Sequence, residues 1–132
     1  MEMEANATAK GMLSVIAGGE LAAIAQITQR ATAQVRVRQG GGGSGIVWRE
    51  NGLVVTNAHV VRGRRAEVKL ANGETFHASV AKRDDARDLA LLKLESFEPL
   101  RLTTAVVGDS DRLRAGEIVF AVGHPFGKPT AR

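Results

Sequence analysis

The spacing of apolar residues changes along the chain from helical to strand-like. Between residues 20 and 33, apolar side chains recur at helical spacing, at Leu21, Ile24, Ala25 and Ile27. Directly afterwards, Val35 and Val37 alternate with Arg36 and Arg38, which is the period of a half-buried strand. The pattern therefore predicts one short helix over residues 20–33, followed by strands. Residues 1–19 show no clear period and are expected to form a flexible tail.

Two hairpins are predicted in the middle of the chain. Asn51-Gly52 separates the apolar run ending at Trp48 from the run Leu53-Val54-Val55-Thr56. Asn72-Gly73 separates Glu67-Val68-Lys69-Leu70 from an alternating segment over residues 75–80. Asn-Gly is a strong signal for a tight hairpin because both residues tolerate a positive φ angle.

The second half of the chain also favours strands. Residues 89–94 are almost continuously apolar, which is typical of a strand buried on both faces. A long polar connection leads to a last predicted strand over residues 118–122, and residues 128–132 are expected to close no element. Several short strands separated by turn signals indicate an all-β fold, a small antiparallel barrel or sandwich.

Composition excludes several classes of function. The 132 residues contain no cysteine, so disulfides, thiolate catalysis and cysteine-bound zinc are excluded. The net charge of +4 comes largely from arginines, but with no tyrosine and one tryptophan the chain lacks the aromatic platforms of single-strand nucleic-acid binders. We interpret these arginines as solvated surface and expect no nucleic-acid partner. The acidic start Met-Glu-Met-Glu and the short apolar stretch at residues 12–17 predict a cytoplasmic protein without a membrane partner, with an exported location as the open alternative.

His59 and Asp88 are the residues that point to chemistry. His59 follows an apolar strand, and Asp88 opens the apolar run, where a buried carboxylate is costly unless it finds a donor. One hairpin lies between them, so a small barrel could bring them together. A buried aspartate can fix the tautomer of a general-base histidine and stabilise the imidazolium that forms. We therefore expect an Asp88 oxygen within hydrogen-bond reach of a ring nitrogen of His59.

Five ordered segments resemble serine proteases of the HtrA (DegP-like) type, which have the chymotrypsin fold. They are Gly43-Ser44-Gly45, Thr56-Asn57-Ala58-His59-Val60-Val61, the segment from Asp88 to Lys93, Gly108-Asp109-Ser110-Asp111 and Gly123-His124-Pro125-Phe126-Gly127. The resemblance covers roughly residues 33–127. It implies that residues 34–127 form the first antiparallel β-barrel of a two-barrel fold, that His59 and Asp88 are catalytic, and that the substrates are polypeptides cleaved in proteolysis or protein quality control.

The nucleophile that the resemblance requires is missing from the chain. The family places it in a Gly-Asn-Ser-Gly-Gly segment of a second barrel, and none of Ser14, Ser44, Ser79, Ser96 and Ser110 has that setting. Ser44 also precedes His59, whereas the family order is His, Asp, Ser. Residues 128–132 are therefore expected to be a truncated end, the second barrel a missing partner, and the chain alone inactive. A homo-oligomer stays open, and the alternative is a non-catalytic single-barrel binding or interaction module.

Other motifs are interpreted as structural. His77 alternates with polar residues and is expected to be exposed, and His124 is expected in a turn. The three histidines show no metal spacing, and Asp109 with Asp111 provides too few carboxylates for a calcium loop. Gly40, Gly42 and Gly45 satisfy a dinucleotide-binding pattern, but a strand and not a helix is predicted to follow. We expect neither a metal nor a cofactor.

Overall fold

Six antiparallel strands close into a barrel in the computed structural model, which describes residues 19–123 and 130–131. The strands are β1 (Thr32–Arg36), β2 (Gly42–Arg49), β3 (Leu53–Thr56), β4 (Arg65–Lys69), β5 (Thr75–Asp84) and β6 (Leu89–Leu94). Their order around the barrel is β1-β2-β3-β6-β5-β4. The predicted antiparallel barrel is thus confirmed. Closure leaves none of these six strands with an unpaired edge.

Both predicted hairpins are present. Gly52 has φ of 103° in the turn between β2 and β3, and Gly73 has φ of 91° in the turn between β4 and β5. A side chain at either angle would be strained, so glycine suits both positions. The turns set the strand registers, which in turn decide what meets at the barrel ends.

The core is the interior of the barrel. It is filled by alanine, valine and leucine side chains from all six strands and from the segments on either side of β4: Ala33, Val35, Val47, Val54, Val61, Ala66, Val68, Leu70, Ala78, Ala90, Leu92 and Leu94. In β6 only alternate residues face this interior, and Leu89 is 43% exposed. The prediction that this strand is buried on both faces is therefore wrong. A barrel has one interior, and nothing in the described residues covers the outer face of β6 as a second sheet or helix layer would.

The predicted helix is shorter than expected. Helix α1 spans Leu21–Arg30, and Thr32 and Ala33 belong to β1. The spacing of apolar residues cannot show that Thr32 pairs with Ile46 of β2. The Thr32 hydroxyl also donates to the Thr28 carbonyl at 2.8 Å, which satisfies an acceptor at the helix end. No residue of α1 is buried, so the helix lies on the barrel and adds little to its core.

The end of the described chain differs from prediction. The expected strand over residues 118–122 is wrong, because only Val122–Gly123 forms a strand (β7), and Ile118 and Val119 are exposed. β7 pairs with Thr130–Ala131 (β8), so the expectation that residues 128–132 close no element is also wrong for this pair. The predictions for the tail at residues 1–18, for Ser14 and for His124 lie outside the described residues. Within those residues, no helix has the length and apolar content to span a membrane.

Candidate active site

The register of β3 against β6 brings His59 and Asp88 together. Thr56 at the end of β3 pairs with Ala90 near the start of β6. Continuing this antiparallel register two residues beyond the Thr56–Ala90 pair places Ala58, the first residue of the 3₁₀ turn Ala58–Val60, opposite Asp88. His59, which follows β3, and Asp88, which precedes β6, therefore lie at the same end of the barrel.

The Asp88 carboxylate binds His59 through both oxygens. Its Oδ2 lies 2.6 Å from Nδ1 of the His59 ring, and its Oδ1 accepts the backbone N–H of His59 at 2.8 Å. Proximity of these two groups is as expected, whereas the backbone contact was not anticipated. In a neutral imidazole, the tautomer that donates Nδ1–H to the ionised carboxylate holds a lone pair on Nε2. The side chains are 64% and 44% exposed, so Nε2 is accessible from outside the barrel.

A tight turn aims the Asp88 carboxylate. The turn joins β5 to β6, and Asp88 is the one non-glycine residue with positive φ, 55°, within residues 19–123 and 130–131. Aspartate tolerates this left-handed conformation better than most residues, at a cost of about 1–2 kcal/mol. Asn57 donates from Nδ2 to the Asp88 carbonyl at 2.9 Å, and the Arg87 N–H donates to Asp84 at 3.0 Å. These bonds restrain the turn in the conformation that the carboxylate needs.

The turn carrying His59 is supported from two other sides. Nη1 of Arg83 donates to the Ala58 carbonyl at 3.4 Å. On β2, a Cβ added at Gly43 would lie 2.7 Å from Cγ2 of Val60, so glycine allows the turn to approach the barrel. A Cβ at Gly45 would lie 2.8 Å from Cγ1 of Val54 inside the core. Steric need at both positions gives the Gly43-Ser44-Gly45 segment a structural role in the barrel.

Hydrogen bonds lower the pKa of the Asp88 carboxyl below its ordinary value of 3.8. The backbone N–H of His59 contributes most, followed by the His59 ring. Both donors stabilise the ionised form more than the protonated form. Asp88 is therefore an anion throughout the neutral range, as a residue that orients an imidazole must be.

Acid should break this pair at a pH below the ordinary range of an aspartate. Since the folded state holds the pKa below 3.8, it binds the proton less tightly than the unfolded chain does. The stabilising contribution is complete above that ordinary value and is lost as the pH falls through the folded pKa. Carboxyl ¹³C shifts followed by NMR should show a depressed Asp88 midpoint. In His59→Ala the midpoint should rise yet stay below 3.8, because the backbone donor remains; a wild-type midpoint at or above 3.8 would contradict the geometry.

The other residues singled out in the sequence do not join this site. His77 is exposed on β5, as expected. Asp109 accepts the Asp111 N–H at 3.1 Å and so caps the turn Ser110–Arg112. Strand β2 begins at Gly42, so the glycine pattern leads into a strand as predicted. Within residues 19–123 and 130–131, no group of three or more histidine, aspartate or glutamate side chains comes together as metal ligands would.

Sequence reasoning missed several residues around the pair. Arg83 lies beside the His59 turn only because of the barrel registers, and no local pattern marks it. Asn57 belongs to the segment around His59, but its bond to the Asp88 carbonyl is not predicted by the sequence. The arginines at residues 38, 62, 64 and 65 were interpreted as scattered surface, yet they line one groove beside His59. Their close spacing in sequence, in two short segments, was the available signal.

Comparison with known proteins gives consistent matches. Residues 43–132 match the family described as trypsin-like peptidase domain. The chain is 45% identical to the serine protease HTRA1B of Danio rerio over 85 residues, which cover 64% of this chain and 17% of that protein. It is 46% identical to the mitochondrial serine protease HTRA2 of Bos taurus over 85 residues, covering 64% and 18%, and 47% identical to the serine protease HTRA4 of Homo sapiens over 85 residues, covering 64% and 17%. The chain thus spans less than a fifth of the length of these relatives.

Proposed function

Because the chain belongs to the trypsin-like peptidase domain family, we propose that it provides the general base and the orienting carboxylate of an HtrA-type serine endopeptidase. His59 is the base, and Asp88 is the carboxylate. The observation that carries the proposal is the 2.6 Å contact between Asp88 Oδ2 and His59 Nδ1, made while Asp88 Oδ1 accepts the backbone N–H of the same histidine. Two bonds to one residue fix the ring and its backbone relative to each other.

The arrangement suits proton transfer in acyl-transfer chemistry. With Nδ1–H bound to Asp88, Nε2 can take the proton of a serine hydroxyl as its oxygen attacks the substrate carbonyl. The resulting imidazolium is stabilised by the Asp88 carboxylate. The same proton then passes from Nε2 to the leaving amine as the peptide bond breaks, and a water molecule repeats the sequence to release the acyl group. Asp88 stays ionised throughout, which agrees with its lowered pKa.

We further propose that the nucleophile and oxyanion hole come from a second barrel that these 132 residues do not include. None of the five serines stands in a Gly-Asn-Ser-Gly-Gly setting. Support also comes from the coverage of the relatives, less than a fifth of their length. Polypeptide substrates would bind across the exposed face that carries His59.

Two preparations test this function. Residues 1–132 alone should neither hydrolyse casein nor react with a fluorophosphonate probe, because the base has no activated serine to serve. The same residues joined to the serine-bearing barrel of an HtrA relative (the joined protein) should do both. Probe labelling of Ser44 in residues 1–132 would overturn the assignment of the missing nucleophile.

The alternative function is a non-catalytic binding or interaction module. It is favoured by the closure of the barrel, which buries its own core without a second domain. A joined protein that is folded by circular dichroism but inert towards casein and probe would favour this module over the peptidase.

A further inference from the structure

An arginine-lined groove lies directly beside His59. Its walls are the connection between β1 and β2 and the segment that leads from the His59 turn to β4. The groove has a volume of about 540 Å³, and His59 and Val60 form part of its surface. β1 pairs with β4 through Arg36 and Glu67, so the ends of these strands bring the two arginine-rich segments side by side.

The charge in this groove is of one sign. Arg38, Arg62, Arg64 and Arg65 line it, and none of the described residues in its wall is acidic. Arg65 pairs with Glu95 at 2.9 Å, whereas no ion pair to Arg38, Arg62 or Arg64 occurs in the described part of the chain. An adjoining hollow of about 550 Å³, lined by Arg36 and His77, has Glu67 in its wall. The uniformly positive surface is therefore the one next to His59.

The shape of the groove makes this charge effective. A concave surface with one sign of charge concentrates its field and attracts oppositely charged ligands. The glycines at residues 40–42 leave backbone uncovered on one side, and Val60 provides an apolar contact on the other. Planar guanidinium groups bind carboxylates through two parallel hydrogen bonds. The volume lies within the range of about 300–1,000 Å³ that is usual for ligand sites.

We propose that this groove binds an acidic segment of a polypeptide, with carboxylates paired to Arg38, Arg62 and Arg64. The described residues that line the groove include no phenylalanine, tyrosine or tryptophan, the usual stacking surface for single-stranded nucleic acid. His59 belongs to the wall, so a segment in the groove passes close to this residue. The identification of that segment as part of the substrate rests on the proposed peptidase function. Its binding does not.

Fluorescence anisotropy of labelled peptides with residues 1–132 tests the proposal. A peptide rich in aspartate and glutamate should bind, and the same peptide with asparagine and glutamine should not. Binding should weaken as salt is added, because exposed ion pairs are screened. Replacing Arg38, Arg62 and Arg64 with glutamine should weaken it roughly ten- to a hundredfold, the product of three modest ion pairs.

A matched variant separates the groove from net charge. Replacing Arg101, Arg112 and Arg114 with glutamine removes the same charge at exposed positions outside the groove. This variant should bind the acidic peptide within about threefold of the wild type, since it leaves the groove ion pairs intact. Equal weakening in both variants, or no binding by the wild type, would overturn the proposal. Amide shifts on peptide addition should concentrate at residues 40–42 and 63, and shifts located elsewhere would count against it.

Nucleic-acid binding and the proposed peptidase function are tested separately from peptide binding. A single-stranded oligonucleotide of equal charge that binds more tightly than the peptide, and loses affinity in the groove variant, would overturn the acidic-peptide assignment in favour of nucleic acid. No hydrolysis takes place in these measurements. An inert joined protein would therefore leave the binding result standing, and absent binding would leave the roles of His59 and Asp88 to be judged by activity.

Discussion

Replacing Asp88 with asparagine in the joined protein should lower kcat about 10⁴-fold, the loss that this change causes in a Ser-His-Asp triad. The substitution changes one group while keeping the side-chain shape. The asparagine oxygen can still accept the His59 backbone N–H, so the turn is retained. Its amide nitrogen, however, donates to Nδ1 and places the ring proton on Nε2. The lone pair that must receive the serine proton is then lost.

The matched control is Asp85→Asn in the same turn. Asp85 is 78% exposed in its side chain, and its closest ion-pair contact is 3.9 Å from Arg83. Its carbonyl accepts the Asp88 N–H at 3.3 Å, a backbone bond that the substitution keeps, and its side chain contacts neither His59 nor Asp88. Replacing the side chain should therefore change kcat by less than about threefold, as an exposed ion pair of this kind is worth little. Ring ¹⁵N shifts measured on residues 1–132 provide a second readout that needs no nucleophile: the wild type should carry its proton on Nδ1, and Asp88→Asn on Nε2. A fully active Asp88→Asn variant with an unchanged tautomer would remove Asp88 from the mechanism.

The parts of the fold that could be predicted have local causes. Asn51-Gly52 and Asn72-Gly73 predict their hairpins because each turn requires a positive φ at the glycine. Proximity of His59 and Asp88 followed from ordered segments that resemble a known family, and the register of β3 on β6 supplies its physical cause. Local pattern and tertiary structure agree at these positions.

The parts of the fold that could not be predicted depend on which surfaces of the chain pack against one another. An apolar run such as residues 89–94 has the same pattern whether one face or both are buried, and only barrel closure shows that Leu89 faces outward. Helix α1 ends early because Thr32 joins the ladder with Ile46. The left-handed conformation of Asp88 could not be predicted from the sequence. The bonds that offset its cost come from His59 and Asn57, which are distant in sequence.

The arginine groove follows the same principle. Its arginines lie in two short segments of the sequence, and only the pairing of β1 with β4 shows that these segments lie side by side. His59 is therefore bonded to the Asp88 carboxylate and also forms part of the arginine-lined groove. If both proposals hold, the barrel contributes a proton acceptor and a preference for acidic chain to the same face.

The largest effect on stability is expected for Leu92→Ala in β6. Leu92 is fully buried and pairs with Val54 of β3 and Val80 of β5, so truncation leaves a cavity that a closed barrel cannot readily fill. The free energy of unfolding should fall by about 2–5 kcal/mol, a large share of the 5–15 kcal/mol or so that a domain of this kind possesses.

Leu89→Ala removes the same atoms from the same strand at a position that is 43% exposed, and should cost under about 1 kcal/mol. Urea unfolding monitored by circular dichroism measures both, and an unchanged m-value would show that the denatured state is not the cause. Similar costs for the two variants would mean that β6 is covered on both faces, as its apolar run alone predicts, and that the barrel surface beside Asp88 is not free. A large difference would establish that surface as open to the polypeptide that His59 is proposed to act upon.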